Sequence, residues 1–527
     1  MKKALMCALG ASAWIACGPE PSPRLHEPLD VVALDVGARQ VFLNRTTAQA
    51  IVVDAMRADG APALEIASYP VGIAPRASAV AADGESFYVV DEEGEALLIV
   101  NPTDGTHTSV ALDAPYDRIV VDPDSEFVLL HFSGDSDGEI VARNLNEVGI
   151  VDLREGTPKA TFLTLASRPL AIEFAPPFEL GGDAQRIAAV ASGNEVTILD
   201  LNELDSEDDA LREVPLTVSE ADAVRTPRQI EFDVTPTEED PDVVRVYVLA
   251  DASSDITEIS IQPTLTDDAP TKLGLSVNQL AAGEAPTEMV LLELPSGTRL
   301  IAIDGRRPRV TIVDVASGEG ATFDLPLTSP ARELLVYRTT IEADGETKVE
   351  TRLLAYSPNT PLVAVIRPET ISVAGDEPTL GRSVEPIRLE RSPSRIELAT
   401  DQIDRAIAFH GGASAGFTIL DLRKNHDIPI QGGTLSDVHF DGSFAYAVYN
   451  ALENLTIFGL DGHPTNLDLP ATGDEVFLDS EDALVVVRHP DVTGSFTVLD
   501  AEEPTPENAR VYKNVFLQGL FDLELER

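Results

Sequence analysis

Six arginines stand within three residues of a proline that precedes an apolar strand. They are Arg76, Arg118, Arg168, Arg228, Arg332 and Arg395. A planar guanidinium binds a carboxylate through two parallel hydrogen bonds. If a repeated fold brings these side chains to one face, they predict a site for an anionic small molecule or an acidic segment of a partner. The alternative is that each arginine pairs with a nearby acid, the candidates being Glu173, Glu231, Glu333 and Glu397.

The segment Gly412–Gly416 matches the G-x-S-x-G pattern of serine hydrolases. That motif works only on a sharp turn between a strand and a helix. Here it separates two apolar runs with strand character, so we predict a glycine-rich hairpin and no catalytic residue. We favour a binding protein, and an enzyme is the alternative.

Isolated ligand-type side chains give weaker signals. His131, His410 and His489 each end an apolar run in a different repeat, which favours surface or capping residues over metal ligands. The acidic run Asp135–Glu139 is the nearest approach to a calcium loop, but it lacks the remaining ligand positions of that pattern. We predict no cofactor, with calcium as the ion to consider.

The elements that would position these residues are short strands. Between Pro75 and Leu112, four apolar runs are separated by Asp83-Gly84, Glu93-Gly94 and Asp104-Gly105, which are hairpin signals. Helical periodicity is missing along the chain. The sequence therefore predicts an all-β fold.

One strand type recurs at intervals of about 40 to 60 residues, close to what one propeller blade needs. Its clear copies end at Asp54, Asp152, Asp200, Asp314, Asp421 and Asp500, and its weaker copies at Asn101, Ser260, Arg367 and Gly459. We expect the aspartates to accept hydrogen bonds from turn N–H groups. The spacing predicts about ten four-stranded antiparallel blades in one large ring, or alternatively two smaller rings.

Proline marks the start of many repeats, as expected for the first residue of an innermost strand, where no N–H is needed. The positions are Pro75, Pro115, Pro169, Pro227, Pro286, Pro330 and Pro393. We also expect the final alternating segment, Leu520–Leu525, to pair with the strand near Val31–Ala33 and close the ring.

The run from Pro75 to Thr106 resembles the YVTN-type repeat of bacterial surface and periplasmic propellers, and the wider pattern is similar to quinoprotein-dehydrogenase-like propellers. It has Phe87-Tyr88-Val89-Val90 and Ile99-Val100-Asn101 at the matching places. The resemblance implies a β-propeller over residues 29–527 and no particular activity. The only tryptophan, Trp14, lies near the N-terminus, so a typical tryptophan–aspartate (WD40) repeat is not expected, although a WD40-like architecture is.

The N-terminus reads as an export signal. Two lysines precede an apolar run that is too short to span a bilayer. Trp14-Ile15-Ala16-Cys17 resembles the lipobox of bacterial lipoproteins, which implies cleavage after residue 16 and lipidation of Cys17. Residues 17–28 are proline-rich and are expected to form a lipidated tether of about 35 Å. With Cys7 removed, the remaining chain has no disulfide.

The net charge is −51. Such a field repels nucleic acid and other polyanions. The expected location is the cell envelope, lipid-anchored in the outer membrane and facing the periplasm or the cell surface. We hypothesise a non-catalytic binding or scaffolding propeller whose partner is a protein or an anionic small molecule. The alternative is a lactonase-like hydrolase with a divalent ion in the central channel.

Overall fold

The structure is a computed structural model that describes most of residues 29–526. The segments that it does not describe within this range are 37–38, 134–143, 155, 181–182, 207–209, 218–224, 236–242, 252, 265–271, 344–345, 374–382, 400–404, 412–415, 424–425, 431–432, 442–443, 460–463, 480–482, 502–504, 506–507 and 518–524. The predicted signal peptide, Cys17 and the tether lie outside the described residues.

The described residues form ten antiparallel sheets of four or five strands, which we call blades 1 to 10 in chain order, and one separate two-stranded hairpin. Blade 1 contains β1 (Val31–Val36), β2 (Arg39–Asn44), β3 (Gln49–Ala58) and β4 (Ala61–Pro70). Blade 2 contains β5 (Pro75–Val80), β6 (Phe87–Asp91), β7 (Ala96–Val100) and β8 (His107–Ala111). Blade 3 contains β9 (Arg118–Val121), β10 (Phe127–His131), β11 (Glu147–Asp152) and β12 (Lys159–Thr164). Blade 4 contains β13 (Pro169–Phe174), a separate hairpin of β14 (Phe178–Leu180) and β15 (Asp183–Gln185), then β16 (Ile187–Ser192), β17 (Glu195–Asp200) and β18 (Leu211–Pro215). Blade 5 contains β19 (Pro227–Asp233), β20 (Val244–Ala250), β21 (Asp255–Thr264) and β22 (Lys272–Ala281).

The second half repeats the plan. Blade 6 contains β23 (Pro286–Leu294), β24 (Gly297–Asp304), β25 (Arg309–Asp314) and β26 (Gly320–Asp324). Blade 7 contains β27 (Glu333–Ala343), β28 (Glu346–Tyr356), β29 (Leu362–Ile366) and β30 (Val384–Arg388). Blade 8 contains β31 (Arg395–Leu398), β32 (Arg405–Phe409), β33 (Phe417–Asp421) and β34 (His426–Ile430). Blade 9 contains β35 (Leu435–Asp441), β36 (Phe444–Tyr449), β37 (Leu452–Gly459) and β38 (Pro464–Asp468). Blade 10 contains β39 (Glu475–Asp479), β40 (Leu484–His489), β41 (Ser495–Asp500), β42 (Arg510–Tyr512) and β43 (Leu525–Glu526). Short 3-10 turns lie at Pro368–Thr370 and Val515–Leu517.

Burial within a blade explains the sequence pattern. The second strand of blade 2, Phe87–Asp91, is buried along its whole length because neighbouring blades cover both of its faces. Its fourth strand, His107–Ala111, is exposed except at Val110 and shows the polar pattern of an outer edge. Gly84 and Gly105 have positive φ angles of 67° and 70°, as the predicted turns require.

A single ring joins all ten blades, so the prediction of one large ring is confirmed and the two-ring alternative is wrong. Apolar clusters of buried side chains lie between each blade and the next, from blades 1 and 2 to blades 9 and 10. A further cluster joins blade 10 to blade 1, where Phe42 contacts Phe496 and Phe516 at ring-centroid distances of 5.3 and 5.2 Å. The ring is therefore closed by packing between side chains.

Of the segment predicted to close the ring, Leu520–Leu525, only Leu525 lies within the described residues. β1 pairs with β2 inside blade 1, and β43 pairs with β42 inside blade 10. The outer edge of β42 supplies the backbone groups with which β43 pairs. Across the seam, Arg57 forms a 2.7 Å ion pair with Asp500, and the Tyr512 hydroxyl accepts a 3.0 Å hydrogen bond from Leu64 N.

The first strands of successive blades lie next to one another, as β5 does with β9, β19 with β23 and β35 with β39. They therefore surround the central axis, as the proline pattern predicts. Because every blade is an antiparallel meander, all first strands begin on one face of the ring, which we call the top face. The long strands β3, β21 and β27 each run from the top face to the opposite, bottom face.

Candidate functional site

The top face carries the six arginines predicted from the sequence, one in each of blades 2, 3, 4, 5, 7 and 8. Arg118 and Arg395 are the first residues of their strands, and Arg76 and Arg228 the second. Arg168 and Arg332 immediately precede theirs. Topology thus places all six at the same end of the inner strands.

Four of the six arginines have acidic partners. Arg76 lies 3.1 Å from Glu92 and Arg228 lies 3.6 Å from Asp251, each acid coming directly after the second strand of the same blade. Arg332 lies 3.8 Å from Glu333, and Arg395 lies 3.2 Å from Glu397. The guanidinium of Arg395 also lies 4.0 Å above the ring of Phe409. At these four positions, therefore, the arginine pairs with a nearby acid, which was the alternative to a ligand site.

Arg118 and Arg168 differ from the other four. Within the described part of the chain, neither forms an ion pair. They stand in adjacent blades, Arg118 is exposed, and Leu170, two residues after Arg168, is 43% exposed. Two cations that form no ion pair among the described residues, with an exposed apolar side chain on one of the same two inner strands, form the part of the top face that is best suited to a ligand. We call Arg118, Arg168 and Leu170 the blade 3–4 patch.

Carboxylates on the inner strands give the channel wall its own character. Burial raises the pKa of Glu173, Glu231, Asp437 and Glu475, and it raises the pKa of Glu288 to about 7. Several of these groups face acids of neighbouring blades, which raises their pKa further. The wall is thus acidic and partly desolvated, which the sequence did not predict.

Two of these carboxylates bridge neighbouring blades. Glu288 Oε2 of blade 6 accepts a 3.1 Å hydrogen bond from Leu334 N of blade 7. Asp437 Oδ2 of blade 9 accepts a 2.8 Å hydrogen bond from Val476 N of blade 10. In blade 5, the neutral amide of Gln229 forms the equivalent bridge, through hydrogen bonds to the backbone of Met289 in blade 6.

The recurring aspartates lie in the third strands, as predicted. Asp152, Asp200 and Asp314 accept hydrogen bonds from the turn N–H groups of Arg154, Asn202 and Ser317, at 3.0, 3.1 and 2.9 Å. Several also pair with an arginine: Asp54 with Arg39, Asp314 with Arg299, and Asp421 with Arg405. Asp152, Asp200, Asp314, Asp421 and Asp500 are the last residues of their strands, whereas Asp54 lies within β3. Those that accept turn N–H groups hold the turn that follows the strand.

The histidines are buried rather than exposed, and two of them act as caps. The Nδ1 atoms of His410 and His489 lie 3.2 and 2.9 Å from the carbonyls of Ser392 and Thr472, in the loops before the first strands. Because a carbonyl only accepts, Nδ1 carries a proton in both residues. Nε2 lies 2.8 Å from the Thr418 hydroxyl in His410 and 2.7 Å from the Thr497 hydroxyl in His489, both on third strands. His131 is also buried, and within the described residues its Nδ1 has no partner.

Sequence reasoning missed these threonines, although a signal was present. Six third strands have threonine three residues before the recurring end position: Thr197, Thr257, Thr311, Thr418, Thr456 and Thr497. All six are buried. A buried hydroxyl on an otherwise apolar strand indicates a partner on a neighbouring segment.

A small cleft of about 140 Å³ lies at the bottom face between blades 1 and 2. Its wall includes Arg39, Asp54, Glu65 and Tyr69. Arg39 donates to Asp54 and to Thr103 at 2.9 Å, and the Tyr69 hydroxyl donates to the carbonyl of Thr103 at 2.9 Å. These bonds tie blade 1 to the turn of blade 2.

Other predicted features fall partly or wholly outside the described residues. Asp135–Glu139 and the centre of the G-x-S-x-G segment are not described, but the flanking strands β32 and β33 pair with each other as a hairpin, as predicted. Among the described residues, no group of three or more His, Cys, Asp or Glu side chains lies close enough together to hold a metal ion. Within the same described residues, no helix is long and apolar enough to cross a membrane.

These features define a β-propeller with a charged top face. No protein-family model matches the chain, and no curated protein matches it. Among solved structures, the chain is similar to the dihydro-haem d1 dehydrogenase NirN, with 12% identity, coverage of 77% of this chain and 75% of that one, and a TM-score of 0.37.

It is also similar to AztD of Citrobacter koseri, with 11% identity, coverage of 69% of this chain and 87% of that one, and a TM-score of 0.32. For the WD40 domain of SCAP from fission yeast, the identity is 11%, the coverage 71% and 89%, and the TM-score 0.39. At these values the similarity extends to the propeller architecture and no further.

Proposed function

We propose that the protein is a non-catalytic binding or scaffolding propeller, anchored in the bacterial cell envelope through lipidated Cys17, that holds an acidic segment of a partner protein at the blade 3–4 patch. The observation that carries the proposal is the contrast on the top face: four arginines are neutralised by neighbouring acids, whereas Arg118 and Arg168 have no such partner among the described residues. We prefer this function to the hydrolase alternative because a specific arrangement of residues supports it.

The charge of the molecule restricts the partner. An arginine binds a carboxylate by two parallel hydrogen bonds, and two arginines on adjacent blades would hold two carboxylates of one segment. Long polyanions are repelled by the net charge of −51, so a short acidic segment is favoured over nucleic acid. The exposed Leu170 would contact an apolar side chain of the same segment.

Replacing Arg118 and Arg168 together by glutamine tests the binding function. A photo-reactive amino acid at Leu170 identifies the cross-linked partner in envelope extracts, and a peptide of the cross-linked segment then serves in calorimetry. We expect the double variant to bind this peptide at least about tenfold more weakly, because each lost bidentate contact removes on the order of 1 kcal/mol. Arg228→Gln with Arg332→Gln is the matched control, since both of these arginines already have acidic partners.

If the control pair weakens binding as much as the double variant, the top face acts only through its general charge, and the blade 3–4 patch is not the site. A cross-linked partner whose acidic residues can be neutralised without loss of affinity would also contradict the proposal.

The anchor is tested separately. We expect the intact protein to fractionate with membranes and to carry a lipid on its N-terminal Cys17 by mass spectrometry, and Cys17→Ser to release it into the soluble periplasmic or external fraction. Membrane association that survives Cys17→Ser would refute the lipid anchor and leave the binding proposal standing.

A further inference from the structure

The first strands of five blades begin with the same irregularity. The pairing with the second strand shifts register between the first and third residue of β5, β13, β19, β23 and β35. A bulge of this kind turns the following side chain out of the regular alternation. The residues after the bulge are Ala77, Ala171, Gln229, Glu288 and Asp437.

Where that residue is polar, it reaches the next blade. Gln229 makes a two-pronged contact with one residue of blade 6: its Oε1 accepts from Met289 N at 2.9 Å, and its Nε2 donates to Met289 O at 2.6 Å. Glu288 and Asp437 occupy the same position in blades 6 and 9, and each accepts one backbone N–H of the next blade, from Leu334 and Val476.

Protonation decides whether a carboxyl can copy the glutamine. An ionised carboxylate only accepts, whereas a protonated carboxyl presents one acceptor and one O–H donor, as a glutamine amide does. On an antiparallel strand, the N–H and C=O of one residue point to the same edge. The carbonyls of Leu334 and Val476 therefore lie beside the N–H groups that are already bound, where an O–H could donate to them.

We propose that Glu288 and Asp437 are acid-strengthened latches between blades 6 and 7 and between blades 9 and 10. Each holds the next blade with one hydrogen bond when it is ionised and with two, in the manner of Gln229, when it is protonated. Mild acidification thereby tightens the inner wall of the ring at two of its seams.

The surroundings of both carboxyls favour the proton. Glu288 faces Glu333 on β27, which disfavours a second negative charge, and the opposing charge of Arg228 on β19 is the weaker influence. Burial is the main reason that the pKa of Glu288 rises to about 7. Asp437 is desolvated beside Glu475 on β39, with His439 on its own strand and Arg395 on β31 as opposing charges, and its pKa is raised.

The sign of the pH effect follows from these shifts. For Glu288, the folded state binds the proton more tightly than the unfolded chain, whose carboxyl titrates near 4.5. Between pH 4.5 and about 7, folding therefore takes up protons, and this group's contribution to stability is complete below pH 4.5 and is lost as the pH rises through 7.

The test is the melting temperature of the full chain from pH 5 to pH 8, together with hydrogen–deuterium exchange of the segment that begins at Leu334. Glu288→Gln should fix the latch in its two-pronged form. We expect the melting temperature of this variant at pH 7.5 to be about 2 °C higher than that of the wild type. Between pH 5 and pH 7.5, the melting temperature of the variant should fall by less than that of the wild type. The Leu334 segment should exchange more slowly at pH 7.5. Asp437→Asn should do the same for the Val476 segment.

The chain offers a reciprocal variant and a charge control. Gln229→Glu places a carboxyl beside Glu231 in the blade 5 latch, so it should lower the melting temperature at pH 7.5 and steepen its dependence on pH. Glu85→Gln removes the same charge from an exposed position and reports the general effect of lowering the net charge.

The inference is overturned if the pH profile of Glu288→Gln runs parallel to that of the wild type, or if its shift equals that of Glu85→Gln. It is also overturned if Glu288→Gln melts at a lower temperature at pH 7.5, because the ionised form is then the stronger contact. Should Gln229→Glu fail to fold, the profiles of Glu288→Gln and Glu85→Gln still decide the matter.

Discussion

At the scale of single residues, the buried histidine–threonine pairs show how a polar group is used inside this ring. Burial lowers the pKa of His489, so its imidazole is neutral at pH 7. In that state it bridges the Thr497 hydroxyl on the third strand and the Thr472 carbonyl before the first strand. The pair therefore fixes the loop that leads into the inner strand of blade 10.

Thr497→Val is expected to lower the free energy of unfolding by about 1–3 kcal/mol, because it leaves His489 Nε2 buried without a partner. Thr197 occupies the same place in blade 4, but its hydroxyl is buried and has no partner among the described residues. Thr197→Val should therefore be neutral or slightly stabilising. Denaturant unfolding of the two variants measures the difference, and an equal loss in both would contradict the bridging role of Thr497.

The arginines show which pairings sequence proximity can predict. Arg332 and Arg395 pair with acids one and two residues away, and both acids were among the expected partners. Arg76 and Arg228 pair instead with Glu92 and Asp251, which follow the second strands. Those contacts depend on strand register, so they could not be read from the sequence.

At the scale of strands, the repeat was predictable because each blade has the same strand order and buries the same strands. The third strand is apolar in each blade, and in blades 3, 4, 6, 8 and 10 it ends in an aspartate, while in blade 2 it is followed by Asn101. Proline is the first residue of β5, β13, β19 and β23, where its missing N–H is not needed. Periodicity in residue type thus predicted both the strands and their positions in the blade.

The bulges and the bridges between blades were not predictable in the same way. Gln229, Glu288 and Asp437 are equivalent only after the register shifts are known. In the sequence they are three different polar residues, and only in the structure do they share one position. From the sequence, a carboxylate on a strand is expected to face solvent. In the structure, Glu288 and Asp437 are desolvated between blades, and this burial raises their pKa.

At the scale of the whole molecule, closure of the ring is the feature that the sequence left open. The number of blades followed from the spacing of the repeat. The number of rings depends on whether blade 1 packs against blade 10 or against blade 5. Side chains decide this: Phe42, Phe496 and Phe516 meet across the seam, and Arg57 reaches Asp500. The strand exchange that we expected is not needed when both faces of the seam are apolar and complementary.

The most direct test of the account is a cross-link at this seam. Both natural cysteines precede residue 29 and are replaced by serine in the test protein. Arg57 and Asp500 are then replaced by cysteine; their side-chain atoms lie 2.7 Å apart. The protein is treated with a short bis-maleimide whose length matches the combined length of the two original side chains. The control pair is Arg57 with Ser260, the equivalent of Asp500 in blade 5, which would face blade 1 if five blades closed a smaller ring.

The account predicts that the Arg57→Cys, Asp500→Cys protein forms an intramolecular cross-link in high yield, seen as a circular species in denaturing gels and as a linked peptide by mass spectrometry, and that the control pair does not. A cross-link between positions 57 and 260, or its absence between 57 and 500 in the folded protein, would contradict the single ring of ten blades.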